Sequence, residues 1–169
     1  PMKGATVGIL GSGPIGLSIL LPARAQGARR VYVTDKINER LTLAKSMGAA
    51  WTGNPDTQDV VKDVNAAEPN QLDVVFECCG QQEALDQGIE MLKPGGKLMI
   101  VGIPRAGRVS FSIDKMRHKE VCIQNVRRQN ECVQASLDMI DNKEFNVDPM
   151  VTHRFPFDRT KEAFDLVAG

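Results

Sequence analysis

The chain has 169 residues, which is enough for one domain with a sizeable hydrophobic core. Its 21 basic residues balance 21 acidic residues, so no net charge attracts a nucleic acid or an anionic membrane surface. No apolar run approaches the roughly 20 residues of a membrane span, and the first residues lack the layout of a signal peptide. We therefore expect a single cytoplasmic domain over residues 1–169, with no nucleic-acid or membrane partner.

Short β-rich runs alternate with helical segments through the first hundred residues. Apolar runs such as TVGIL and DVVFE are typical of parallel strands that are buried on both faces. The predicted strands are 6–10, 30–34, 50–52, 73–77 and 97–101, and the predicted helices are 14–25, 38–47, 57–67 and 82–92. Pro22 should kink the first helix, and Asn38 should cap the second. The alternation predicts an α/β fold of the Rossmann type, with a doubly wound, mostly parallel sheet and helices on both faces.

The pattern changes after Gly102. Apolar Val109 and Phe111 alternate with polar neighbours, and this period of two predicts a half-exposed strand from Arg108 to Ile113. A further strand is predicted at 121–126, with helices at 131–140 and 160–167. No internal repeat or domain break interrupts this order.

A glycine-rich turn follows the first predicted strand. The segment GSGPIG matches GxGxxG with Gly11 for a tight turn, Gly13 for close approach of a pyrophosphate and Gly16 for close helix packing. Pro14 suits the first helical position, because its missing N–H would have no partner there. Free backbone N–H groups around Ile15 and the helix dipole then offer an anion site.

An acidic residue completes the dinucleotide-binding fingerprint. Asp35 ends the second predicted strand, 19 residues after Gly16, near the spacing that the fingerprint requires. Its carboxylate would accept hydrogen bonds from the adenosine ribose and repel a 2′-phosphate, which favours NAD over NADP. Lys36 and Arg40 weaken this preference, because a basic side chain can accommodate a phosphate. S-adenosylmethionine is the alternative ligand, although it has no pyrophosphate to require the full glycine motif.

Three more loops are expected at the carboxyl edge of the sheet, where such folds bind ligands. They are 78–80, 102–104 and 125–128. For Arg127 and Arg128, two interpretations stay open: contact with the pyrophosphate, or a solvated pair of surface charges.

Groups for chemistry on a substrate are scarce. Tyr32 lies inside a strand, while His118 and His153 stand apart from other candidate ligands. No HExxH or CxxC spacing occurs, so neither a catalytic residue nor a metal ligand is assigned. The cysteines are interpreted as reduced structural thiols: Cys78, Cys79, Cys122 and Cys132.

Several segments together resemble a known family. They are GSGPIGL, VTD, DVVFECCG, LKPGGKLMIVGIP, KEVCIQNVRRQN and PMVTHRFPFDRTKEAFDL. In this order they resemble the coenzyme-binding domain of zinc-dependent medium-chain dehydrogenases/reductases, a family of alcohol dehydrogenases. The likeness is greatest to the polyol branch, that of sorbitol (L-iditol) dehydrogenase, with threonine dehydrogenase as a neighbour.

The resemblance implies roles for cofactor-binding residues. The glycine turn would hold the pyrophosphate, Asp35 and Arg40 the adenosine ribose, and 78–80 the edge of the adenosine side. Segments 101–103 and 123–125 would meet the nicotinamide through their backbone. The residues assigned to NAD in this way are Gly11, Gly13, Pro14, Ile15, Gly16, Asp35, Arg40, Cys78, Gly80, Val101, Gly102, Ile103, Asn125 and Arg127.

The resemblance also implies partners. The edge strand from Arg108 to Ile113 would pair with a second copy, giving a homodimer or homotetramer. Family members carry an N-terminal catalytic domain that supplies the zinc ligands and the proton relay, and we expect this domain to lie outside the 169 residues of this sequence. The chain is therefore predicted to be the NAD-binding part of an enzyme that oxidises a small alcohol or polyol, incomplete by itself. A free-standing NAD-sensing or regulatory module is the alternative.

Overall fold

A computed structural model describes residues 2–168, and within that range six parallel strands form one sheet. The strands are β1 (Thr6–Leu10), β2 (Arg30–Thr34), β3 (Trp51–Gly53), β4 (Leu72–Glu77), β5 (Leu92–Ile100) and β6 (Cys122–Asn125). The helices are α1 (Pro14–Ala25), α2 (Asn38–Ser46), α3 (Val60–Ala67), α4 (Gln82–Met91), α5 (Ile113–Lys119), α6 (Val133–Asp141) and α7 (Thr160–Ala168). The strand order β3-β2-β1-β4-β5-β6 confirms the predicted Rossmann-type fold.

Helices cover both faces of the sheet, and each face has its own core. Along β2, Val31 and Val33 belong to the core under α1 and α2, whereas Tyr32 faces the core under α3 and α4. Along β4, Val75 likewise lies in the second core. All five residues of β1 are buried, because β1 lies at the centre of the sheet between β2 and β4.

The strand β5 begins five residues before the predicted strand 97–101 and is irregular near its start. Leu92 pairs with Leu72, but the next pair joins Lys97 to Val74, so the residues between them bulge out of the ladder. Gly95 has a φ of +73° at this bulge, a conformation that side chains disfavour. Other element ends differ from the predicted ones by at most three residues.

The predicted strand from Arg108 to Ile113 is wrong for the single chain. Ile113 begins α5, and the residues before it belong to no strand. The side chain of Gln82 binds this segment instead: its Oε1 accepts from Ser110 N at 2.9 Å and its Nε2 donates to Ser110 O at 2.8 Å. Phe111 packs against the second core, so the period of two reflects a loop whose apolar side chains face inward.

One smaller expectation about the helices differs from the structure. The N-cap of α2 is Ile37 rather than Asn38, whose Oδ1 instead accepts a hydrogen bond from Asn54 Nδ2 at 3.0 Å. Asn38 was chosen from a local signal, which this contact with a distant residue overrides. Pro22 lies inside α1 as expected, and the kink at this residue stays a prediction.

Two carboxylates, the half-buried Asp73 and the buried Glu68, join elements at the amino edge of the sheet. Asp73 Oδ2 accepts from Thr6 N at 2.7 Å and from Thr6 Oγ1 at 2.8 Å, and Lys93 pairs with the other oxygen. Burial raises the pKa of Asp73, but the hydrogen bonds from Lys93 and Thr6 outweigh it and hold the pKa at about 2. Nearby, Glu68 accepts from Tyr32 Oη at 2.8 Å. These contacts fix β1 and β2 relative to β4 and α3.

Replacing Asp73 by Asn should destabilise the fold in a pH-dependent way. Because the folded pKa lies below the ordinary value of 3.8, the carboxylate stabilises the fold above about pH 4 and loses this effect as pH falls toward about 2. We expect a loss on the order of 1–2 kcal/mol at pH 7, measured by urea unfolding, since solvent screens this partly exposed group. The difference from wild type should close in acid. Asp165→Asn, which breaks an exposed pair with Lys161, is the control, and an equal pH response in both variants would contradict the assignment.

Candidate functional site

A cleft of about 710 Å³ lies at the carboxyl edge of the sheet, between the loops that follow β1, β2, β3 and β4. The strand order reverses between β1 and β4, and in open α/β sheets ligands bind at such a switch point. The cleft is lined by Leu10, Gly11, Gly13, Thr34, Asp35, Lys36, Ile37, Arg40, Pro55, Asp56, Cys78, Cys79, Gln81, Glu83, Ala84 and Gln87.

The glycine turn has the geometry that its sequence predicts. Gly11 has a φ of +101°, and its N–H donates to Thr34 O at 2.8 Å, which ties the turn to β2. A Cβ on Gly16 would clash with the Gly11 carbonyl oxygen, so only glycine lets α1 pack this close to β1. In front of Gly13 the nearest atom that a Cβ would meet is Arg40 Nη1, at 3.7 Å. The turn is therefore tightly packed against α1 at Gly16, whereas the space in front of Gly13 is open toward the cleft.

The amino end of α1 faces this opening. Gly13 is the N-cap, Pro14 is the first helical residue, and no side chain caps the end. Unpaired N–H groups of the first turn and the helix dipole favour an anion here. Ile15 is 55% exposed on the outer side of the turn. A pyrophosphate fits this open and uncapped end.

The carboxylate of Asp35 is held in place by backbone and hydroxyl donors. Its Oδ2 accepts from Ser12 N at 2.7 Å and Ser12 Oγ at 3.1 Å, and its Oδ1 accepts from Ile37 N at 2.9 Å. Arg40 Nη1 lies 3.9 Å from Oδ2. Sequence reasoning missed Ser12. The available signal was a hydroxyl residue between the two glycines that follow β1, because β1 pairs with β2, the strand that Asp35 follows.

Sequence reasoning also missed Glu77, which is fully buried at the end of β4. Its Oε1 accepts from Cys79 N at 2.9 Å and Gly80 N at 2.5 Å, so it shapes the loop after β4. A Cβ on Gly102 would stand 2.5 Å from Glu77 Oε2, and one on Gly80 would stand 2.5 Å from Ile103 O. The loops after β4 and β5 are thus in direct backbone contact. An acid that ends the apolar run DVVFE was the available signal.

The structure divides most of the predicted cofactor residues into two groups, while Pro14, Ile15 and Gly16 form the first turn of α1. Gly11, Gly13, Asp35, Arg40 and Cys78 line the cleft described above. The second group lies further along the same edge, after β4, at the ends of β5 and β6, and beyond β6; Ile103 is 89% exposed there. Its members are Gly80, Val101, Gly102, Ile103, Asn125 and Arg127. Contact of either group with a cofactor stays a prediction.

Among residues 2–168, no group of three or more His, Cys, Asp or Glu side chains is arranged to hold a metal ion. In the same part of the chain, no helix combines the length and apolar character needed to cross a membrane.

The strand, glycine turn and helix at the switch point, with a carboxylate ending the neighbouring strand, define a dinucleotide-binding domain of the Rossmann type. The family model described as zinc-binding dehydrogenase matches residues 14–142. The chain belongs to this family and corresponds to its NAD(P)-binding domain.

Relatives and solved structures agree with this assignment. The chain is 36% identical over 165 residues to sorbitol dehydrogenase of Mus musculus, covering 96% of this chain and 46% of that protein. It is 33% identical over 172 residues to L-threonine 3-dehydrogenase of Pyrococcus furiosus, covering 99% and 49%. A zinc-binding dehydrogenase structure from Sinorhizobium meliloti 1021, bound to NADP, superposes with a TM-score of 0.89 at 28% identity, covering 95% and 48%. The chain spans about half the length of the curated relatives it matches.

The two cysteines after β4 should be unreactive. Burial and the neighbouring Glu77 carboxylate raise the pKa of both Cys78 and Cys79 to about 12, so their thiols stay protonated. Cys79 is exposed like Cys122 and Cys132, whereas Cys78 is half-buried, and Cys79 Sγ donates to Glu77 Oε1 at 3.1 Å. We expect iodoacetamide at pH 8 to alkylate Cys122 and Cys132 first, because the raised pKa of Cys78 and Cys79 leaves almost no thiolate at these two sites. Mass spectrometry of the digested protein measures this order, and rapid labelling of Cys79 in the folded chain would contradict it.

Proposed function

We propose that the chain is the NAD-binding domain of a zinc-dependent alcohol or polyol dehydrogenase, which transfers hydride between a secondary alcohol and NAD. The observation that carries this proposal is the Asp35 carboxylate, fixed by Ser12 and Ile37 at the wall of a cleft that the glycine turn opens into. A rigid acceptor in this position suits the two hydroxyls of an adenosine ribose.

Each part of the site would then have a role in holding the cofactor. The first turn of α1 would bind the pyrophosphate through backbone N–H groups, and the open space at Gly13 would let it approach. Asp35 would accept hydrogen bonds from the ribose. The loop after β4 would border the adenosine side, and the loop after β5, which Glu77 ties to it, would present its backbone to the nicotinamide half. The bound NAD supplies a hydride acceptor, while this domain orients it.

Zinc does not fit the described part of this chain, because no suitable ligand cluster occurs there. The proposal therefore assigns the zinc ligands, the proton relay and the substrate pocket to the N-terminal catalytic domain that the resemblance implies. The sorbitol and threonine dehydrogenases support a small secondary alcohol or polyol as the substrate class. A cytoplasmic location is part of the same proposal.

A homodimer or homotetramer through the segment from Arg108 to Ile113 also belongs to the proposal. β6 is the free edge of the sheet in the single chain, and an exposed edge invites pairing. Gln82 binds both backbone groups of Ser110, so pairing across this segment would have to displace that side chain.

Titration of NAD and NADP, by calorimetry or by the fluorescence of Trp51, tests the proposed cofactor. We expect NAD to bind more tightly, because Asp35 repels a 2′-phosphate. Asp35→Ala should weaken NAD about tenfold or more, as expected for hydrogen bonds to a charged acceptor, and should erase the preference. Asp165→Asn is a control for the loss of an acidic charge, and circular dichroism checks the fold. Equal binding of NAD and NADP by the wild type would contradict the assignment of Asp35.

A further inference from the structure

An ion pair lies at the mouth of the cleft, next to Asp35. Lys36 Nζ is 3.0 Å from Asp56 Oδ1, which links the loop after β2 to the loop after β3. Hydrogen bonding to Asp56 and its charge raise the pKa of Lys36, so the ammonium keeps its proton. Both side chains line the cleft, and both are more than half exposed. No role for Asp56 follows from the dinucleotide-binding fingerprint.

The buried side chain of Asn54 supports the pair through hydrogen bonds. Asn54 Nδ2 donates to Lys36 O and to Asn38 Oδ1, both at 3.0 Å, while Asn54 Oδ1 accepts from Asp56 N at 2.9 Å. One amide therefore positions the backbone of both members of the pair. Asp35 N also donates to Gly53 O at 3.2 Å, which adds a second link between the two loops. These hydrogen bonds hold the loops after β2 and β3 together, and so they hold Lys36 and Asp56 close to each other.

The electrostatic consequence concerns a phosphate group on the ribose. Lys36 directly follows Asp35, so a free ammonium here would stand beside the carboxylate that faces the ribose and would attract a 2′-phosphate. Paired with Asp56, the ammonium is neutralised and held toward the β3 loop. The charged lining of the cleft then comprises three carboxylates, Asp35, Asp56 and Glu83, against two cations, Lys36 and Arg40, while the Cys78 and Cys79 thiols stay neutral.

We propose that Asp56 is a specificity-determining residue: it holds Lys36 in an ion pair and so discriminates against dinucleotides that carry a 2′-phosphate. This inference rests on the proposed function, since it requires the cleft to bind the adenosine half of a dinucleotide. It adds to the preference set by Asp35 by withholding the Lys36 ammonium from a 2′-phosphate, because specificity is a difference between the affinities for two ligands.

Calorimetric titration of NAD and NADP into the full chain tests this in four forms: wild type, Asp56→Asn, Lys36→Met and the double variant. Asn keeps the shape of Asp56 and its backbone bond to Asn54, while it removes the charge. We expect Asp56→Asn to tighten NADP binding about three- to fivefold, the scale of an exposed ion pair, and to lower the preference for NAD by a similar factor. The gain should vanish in the double variant and shrink at high ionic strength.

Asp165→Asn supplies the matched control, because it removes the same charge from an exposed lysine pair on α7, outside the cleft lining. A gain in NADP affinity equal to that of Asp56→Asn would attribute the effect to net charge and overturn the inference. Unchanged NADP affinity in Asp56→Asn, or a gain that persists without Lys36, would also overturn it, while wild-type NAD binding would leave the proposed function standing. Binding of neither dinucleotide by the wild type would overturn both.

Discussion

The close approach of α1 to β1 at two glycines is the constraint on which the site depends. Gly16 passes so near the carbonyl oxygen of Gly11 that a methyl group could not fit between them. Because of this contact, the amino end of α1 stands directly over the switch point of the sheet. A larger residue at position 16 would push the helix outward, and the turn at Ser12 and Gly13 would no longer lie beside Asp35.

Two buried carboxylates extend this arrangement to the neighbouring loops by the same physical means. Asp35 accepts the N–H of Ser12, and Glu77 accepts the N–H groups of Cys79 and Gly80. In each case an acid at the end of a strand binds backbone donors of a turn, which is a strong interaction in a dry environment. The loops after β1, β2, β4 and β5 are thereby connected by contacts that do not rely on a bound ligand.

Elements could be predicted from the sequence where the signal lay within one segment and the whole segment was buried. β1 and β2 were predicted at their observed ends, because fully buried parallel strands are continuous apolar runs and their neighbours are clear turns. The glycine turn and Asp35 were found because a fingerprint defines their spacing. Glu77 and Ser12 were missed, since their importance comes from partners in other segments. The strand from Arg108 to Ile113 was wrong for a related reason: alternation shows which side chains face inward, but not whether a neighbouring strand or the Gln82 side chain meets the backbone.

The position of Asp73 has a consequence for how the molecule can change. Asp73 lies near the start of β4 and Glu77 at its end, so roughly 13 Å of strand separates an ionic contact that supports folding from the loops that form the cleft. The contacts of Asp73 that stabilise the fold therefore lie at the amino edge, and the loops that form the cleft lie at the carboxyl edge. Substitution of Asp73 at the amino edge is expected to change stability and leave ligand preference alone, whereas substitution of the exposed Lys36 or Asp56 at the opposite edge is expected to alter preference with little effect on folding. Such a division makes the domain adaptable, since each property can vary without forfeiting the other.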